Sequence, residues 1–74
     1  MTEKNNFSYE VLEEIATLDE DLKGWKRKLC RISYNGQEPV YDFRVWSPQG
    51  KFGKGFTLRE EPFQKLVEIL KERY

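Results

Sequence analysis

The stretch SPQGKFGKGFTL (Ser47 to Leu58) holds three glycines and two lysines. Glycines beside lysines are a chemistry for phosphate, and two enzyme loops use it. A Walker-type loop needs G-x-x-x-x-G-K-[ST]. Ahead of Gly53-Lys54 the first-glycine position is Pro48, and the residue after the lysine is Gly55 instead of Ser or Thr. The dinucleotide fingerprint G-x-G-x-x-G opens a helix after a strand. Here the order is Gly50-x-x-Gly53-x-Gly55, and it feeds a short β-like run. Both nucleotide loops fail on spacing and on context.

Other catalytic chemistry has little to work with. There is no histidine, which removes the commonest general base, the Ser–His and Cys–His pairs, and most zinc sites. The one cysteine, Cys30, lies in a β-like run and reads as a small buried or half-buried residue. A calcium loop starting at Asp19 would need an oxygen ligand at its fifth position and Glu at its twelfth. Those positions are Lys23 and Cys30. The acids at 10, 13, 14, 19, 20 and 21 therefore read as a solvated face. No enzyme activity, metal or cofactor is expected.

What remains for phosphate is a basic, aromatic surface. The net charge of the 74 residues is zero, but residues 1–22 hold seven acids and one base, whereas residues 23–59 hold nine bases and two acids. Residues 60–74 are close to neutral. A basic middle can bind an anion despite acidic flanks, because the field is screened within about 8 Å at physiological salt. Residues 25–56 also carry seven aromatics. Single-stranded nucleic acid is held by cations along its backbone and by aromatic faces that stack its bases. Lysines on an exposed sheet face also serve solubility and edge protection, so a protein-interaction module is the competing expectation.

These groups need a scaffold. Residues 25–34 (WKRKLCRISY) read as a strand, and Asn35-Gly36 suits a tight turn with positive φ. Residues 40–46 (VYDFRVW) read as a strand rich in β-branched and aromatic side chains. Alternation puts Tyr41, Phe43 and Val45 on one face and Asp42, Arg44 and Trp46 on the other. That places Tyr41 and Phe43 in the core, with Phe56 beside them. Ser47-Pro48-Gln49-Gly50 is a turn signature. Residues 54–58 return as a strand, and glycines there mark close approach by a ligand or a second backbone. Residues 60–73 form the clearest helix, with Phe63, Leu66, Val67 and Leu70 at i, i+3, i+4 and i+7. Glu60 and Glu61 in the first turn and Lys71 and Arg73 in the last complement the helix dipole. Residues 1–6 read as a disordered N-terminus ahead of one domain, 7–74. Residues 7–18 fit either a helix face (Val11, Leu12, Ile15, Leu18) or a strand. A chain this short, with no disulfide, buries little surface alone, so oligomerisation is expected. It shows no signal-like stretch and no membrane-length apolar run. A free cysteine fits a reducing compartment, and the cytoplasm is the expected location.

Across residues 25–70 the chain resembles the positive-cofactor-four family of transcriptional coactivators, in particular its small bacterial YdbC-like branch. GWKRKL (24–29), SYNGQEPVYDFRVWSP (33–48) and GKGFTLREEPFQKL (53–66) carry the likeness. The resemblance implies an α+β fold, a curved four-stranded antiparallel sheet followed by one C-terminal amphipathic helix, assembled as a homodimer. It implies that residues 9–18 are the first strand. It also implies single-stranded DNA as partner, with little sequence preference, and no enzyme activity. Arg44, Lys54, Tyr34 and Trp46 match motif positions of the family. Lys26, Lys28, Lys51 and Phe52 join them from charge and position. Phe63, Leu66, Val67 and Leu70 are the expected dimer interface. The turn after Tyr34 is longer than the family's, which leaves open the register of the second strand against the third and whether Lys28 or Arg31 faces the DNA. The serine-rich basic tail of the eukaryotic coactivators is absent, so a coactivator role is not implied. Single-stranded RNA is a second expected partner, since it offers the same stacking faces.

Overall fold

The computed structural model describes residues 7–74. The expected disorder of residues 1–6 lies outside the described residues. Four strands, β1 (Tyr9–Glu20), β2 (Lys26–Tyr34), β3 (Val40–Trp46) and β4 (Phe52–Leu58), precede one helix, α1 (Glu60–Arg73). The strands pair antiparallel in the order β1-β2-β3-β4. This is the expected α+β arrangement of a sheet followed by a helix.

Each turn has a local chemical cause. Between β1 and β2, the Asp21 carboxylate accepts from the N–H groups of Lys23 (2.9 Å) and Trp25 (3.0 Å). Between β2 and β3, Asn35 (φ 52°) and Gly36 (φ 73°) both adopt positive φ, and Gln37 N–H donates to the Tyr34 carbonyl at 2.9 Å. That is the tight turn expected of an Asn-Gly pair. Between β3 and β4, Ser47 Oγ accepts from Gln49 N–H (3.2 Å) and Lys51 N–H (2.9 Å).

β1 resolves the helix-or-strand ambiguity. Its 12 residues run beside the 9 of β2 with register shifts at Val11/Glu13, Glu14/Ala16 and Thr17/Asp19. The residues left without a cross-strand partner are Leu12, Ile15 and Leu18. Three β-bulges in succession thus give an apolar row with a period of three. That spacing lies close to the 3.6 of a helix, which is why the sequence pattern suited both. Bulges also twist an edge strand, which makes it a poorer template for another chain's edge.

The glycines of β4 are explained by a second backbone. A Cβ at Gly53 would lie 2.6 Å from the Val45 carbonyl oxygen, and one at Gly55 would lie 2.2 Å from that of Phe43. Neither position admits a side chain without moving β4 off β3. Gly53 and Lys54 together oppose Val45, which makes a bulge in β4.

The sheet has two faces. On one, Phe63 of α1 stacks on Tyr41, with ring centroids 3.7 Å apart and an 8° interplanar angle, and approaches Phe43 at 6.4 Å. Leu66 and Val67 are half-buried, while Ile69 and Leu70 are exposed, so the helix buries no residue fully. The expected core on this face is therefore incomplete. Tyr41 and Phe43 are only half-buried and Phe56 is exposed, because α1 covers its sheet face chiefly through Phe63. The deeply buried side chains Cys30, Ile32, Trp46 and Asp42 lie on the opposite face. Register also settles the placement of β2. Lys28 opposes Arg44 and shares its face, while Arg31 opposes Tyr41 on the helix side and pairs with Glu60 at 3.8 Å.

Candidate functional site

The face opposite α1 is organised around Asp42. Spacing of two along β3 puts Asp42, Arg44 and Trp46 on one side. The register brings Cys30 opposite Asp42, Lys28 opposite Arg44 and Lys26 opposite Trp46. Asp42 is fully buried. Its carboxylate accepts from Tyr34 OH at 2.5 Å and from Arg44 Nε and Nη2, each at 2.9 Å. Arg44 Nη1 donates to the Gly53 carbonyl at 2.7 Å. Its side chain is 12% exposed, and the guanidinium lies over the Phe52 ring at 4.0 Å. Of the five N–H donors an arginine carries, two stay outside these bonds. Arg44 is thus a preorganised fork whose charge is largely met by Asp42.

The same contacts move the titrations. Burial, followed by the hydrogen bond to Asp42 and its charge, pushes the Tyr34 phenol well above its usual range, with Arg44 opposing only in part. Burial works against the Arg44 charge, but the bonds and charges of Asp42 and Tyr34 outweigh it and raise the pKa. Burial, and then Glu14, raises the Cys30 thiol, against a smaller opposing effect of Lys28. Both Tyr34 and Cys30 are therefore held neutral, which suits scaffold roles and not nucleophilic ones.

Around this network lies a cluster of aromatic rings. Trp46 is 8% exposed and meets Phe52 edge-on at 5.4 Å and Tyr9 at 6.1 Å. Tyr34 meets Phe52 at 6.1 Å and Tyr9 at 6.3 Å. Phe7 joins through Tyr34 (6.0 Å), Phe52 (5.9 Å) and Tyr9 (6.1 Å). A cavity of about 320 Å³ beside Trp46 is lined by Glu20, Lys26, Lys28, Trp46, Ser47 and Pro48 among others.

The structure therefore gathers Tyr34, Arg44, Trp46 and Phe52 into one cluster and sets Lys26 and Lys28 beside it. Lys28 is paired with Glu14 at 3.1 Å. Lys51 and Lys54 are exposed, the first at the end of the β3–β4 turn and the second in the β4 bulge. Of the expected interface residues, Phe63 is engaged by its own sheet and Leu70 is open. Sequence reasoning assigned no role to Asp42, Phe7, Tyr9 or Glu14. The i, i+2 spacing of Asp42 and Arg44 was a usable signal for the first. The others depend on the register of the bulged β1. Among the described residues no group of three His, Cys, Asp or Glu could hold a metal ion, and no helix is long and apolar enough to cross a membrane.

No protein-family model matches the chain. It is 40% identical over 67 residues to an uncharacterized protein of Treponema pallidum (strain Nichols), a match that covers 89% of this chain and 79% of the treponemal one.

Proposed function

The chain belongs to the same family as that treponemal protein, and from the site just described we propose that it is a non-enzymatic, homodimeric single-stranded-DNA-binding protein. The observation that carries the proposal is the sheet face opposite α1. Lys26 and the remaining donors of the Arg44 fork lie there beside a cluster of aromatic rings, with Lys28 held on Glu14 and the Arg44 charge met by Asp42, and among the described residues no helix covers them. Cations that meet phosphates next to rings that stack bases are what a single strand needs and a duplex does not offer. Lys51 and Lys54 extend the basic rim. The resemblance to the positive-cofactor-four coactivators supports the same conclusion.

The dimer is supported by apolar surface exposed among the described residues. Leu12, Ile15 and Leu18 on β1, and Ile69 and Leu70 on α1, are all exposed. Sedimentation equilibrium on the full chain should give twice the monomer mass, and Leu70→Glu with Ile69→Glu should restore the monomer. A wild-type monomer at micromolar concentration would refute the dimer.

Binding is tested by fluorescence anisotropy with labelled single-stranded DNA, RNA and duplex of one length. Preference for single-stranded DNA over duplex supports the proposal, and tighter binding of the RNA would favour single-stranded RNA as the partner instead. A second reading, a protein-interaction module, is favoured by the exposed apolar row of β1. It predicts capture of a protein from lysate that survives nuclease treatment and high salt. That capture should be lost when Ile15→Ser and Leu18→Ser are combined.

A further inference from the structure

Given strand binding through the sheet face opposite α1, on which this step rests, we infer that Glu14 is a built-in competitor of the strand. Its carboxylate takes the place of a phosphate on Lys28 and so limits how tightly the strand is held. Two acids on this face each hold a cation, and they do so differently. Asp42 is fully buried and accepts from Arg44 twice at 2.9 Å. Glu14 meets Lys28 at 3.1 Å, with side chains 52% and 23% exposed. Breaking a buried pair from one side is costly, whereas an ion pair that water reaches contributes little to stability. The Asp42 pair is scaffold, and the Glu14 pair is exchangeable.

The register places Glu14 for this role. It opposes Cys30, which opposes Asp42, so the three form one row across the sheet. Lys28 stands in the next row, opposite Arg44. Like charges directly opposite one another repel, and Glu14 offsets that repulsion while no strand is bound. Lys26 differs. It is exposed, and among the described residues it forms no ion pair, although Glu20 opposes it. Both lysines line the cavity beside Trp46, so a strand backbone that reaches Lys26 also passes Lys28. Lys28 is thus a cation in reserve, withheld from phosphate by Glu14.

The test is anisotropy with labelled oligo-dT at 50 and 200 mM salt, on wild type, Glu14→Gln, Lys28→Met, the two combined, and Glu13→Gln. Glu13 opposes Arg31 on the helix side, so its substitution makes the same change of net charge on the other face. Glu14→Gln should tighten binding at 50 mM salt by about 1.5- to 5-fold, the range of one exposed ion pair. One more phosphate contact also steepens the salt dependence, so its loss of affinity over that range should exceed that of wild type by about 2.5-fold. Glu13→Gln should gain less, and Glu14→Gln should gain nothing in the Lys28→Met background. Unchanged affinity or unchanged salt dependence in Glu14→Gln would overturn the assignment while leaving single-strand binding intact. So would an equal gain in Glu13→Gln, or a gain that persists with Lys28→Met. Failure of wild type to bind oligo-dT would overturn both. Should Lys28→Met not fold, the comparison of Glu14→Gln with Glu13→Gln at the two salts decides.

Discussion

Truncating Asp42 to alanine should be the most damaging small change on the sheet. The carboxylate is fully buried and accepts from Tyr34 and twice from Arg44. Its loss leaves a guanidinium only 12% exposed with the Gly53 carbonyl as its remaining hydrogen-bond acceptor in the network. Removing one partner of a buried pair costs about 3–5 kcal/mol, and the half-buried Tyr34 hydroxyl, left unpaired, adds less than the roughly 1–3 kcal/mol of a fully buried group. Because the groups share one network the two do not simply add, so about 4 kcal/mol is the working figure. A domain of this size has a total stability of about 4–11 kcal/mol. At roughly 4–8 °C per kcal/mol, Asp42→Ala should lower Tm by at least about 15 °C or leave the chain unfolded at 37 °C. Thermal and urea unfolding followed by circular dichroism measure this. The triple change Tyr34→Phe, Asp42→Leu, Arg44→Met removes every polar member together and should recover much of the loss, since a buried ion pair is often no better than apolar packing. A shift below about 1 kcal/mol in Asp42→Ala would refute the reasoning, given the costs just cited. A triple variant no more stable than the single one would refute the explanation by an unpaired charge.

The raised Tyr34 pKa makes a pH prediction. A phenol whose folded pKa lies above its unfolded value of 10.0 contributes stability that is complete below pH 10 and is lost as pH rises toward the folded value. Cys30 acts with the same sign from its ordinary value of 9.0 upward. Urea midpoints should therefore fall more steeply between pH 9 and 11 in wild type than in Tyr34→Phe, and parallel curves would count against the Tyr34 contribution. Gly55→Ala would put a Cβ 2.2 Å from the Phe43 carbonyl oxygen and 2.7 Å from Arg44 Cα. Backbone atoms cannot step aside cheaply, so a loss of about 3 kcal/mol or more is expected, and unchanged urea unfolding would show that β4 does not lie so close to β3.

β3 and α1 were legible in the sequence to their ends, because β-branched and aromatic density in one and a clean i, i+3, i+4, i+7 row in the other leave little competition. β1 was not. Leu12, Ile15 and Leu18 repeat every three residues through successive bulges, and no pattern of period two reveals that. The shared face of Asp42, Arg44 and Trp46 followed from alternation alone. That this face would hold the most deeply buried residues did not follow, since the depth comes from Arg44 folding back over Phe52 and from the rings of Phe7, just ahead of β1, and Tyr9, its first residue. Phe7 and Tyr9 stayed hidden for the same reason. Their approach to Tyr34 needs a register that three bulges displace.

Single-strand binding through the sheet face is tested most directly by titrating labelled oligo-dT and a duplex of equal length at 50 and 200 mM salt, on the wild-type chain. Lys26, Lys51 and Lys54 are exposed. Three phosphates neutralised on a single strand correspond to a loss of affinity of about 20-fold over that range. The expected result is oligo-dT binding that weakens by about that factor, with the duplex clearly weaker at both salts. Equal affinity for the duplex, or no oligo-dT binding at 50 mM salt, would contradict it.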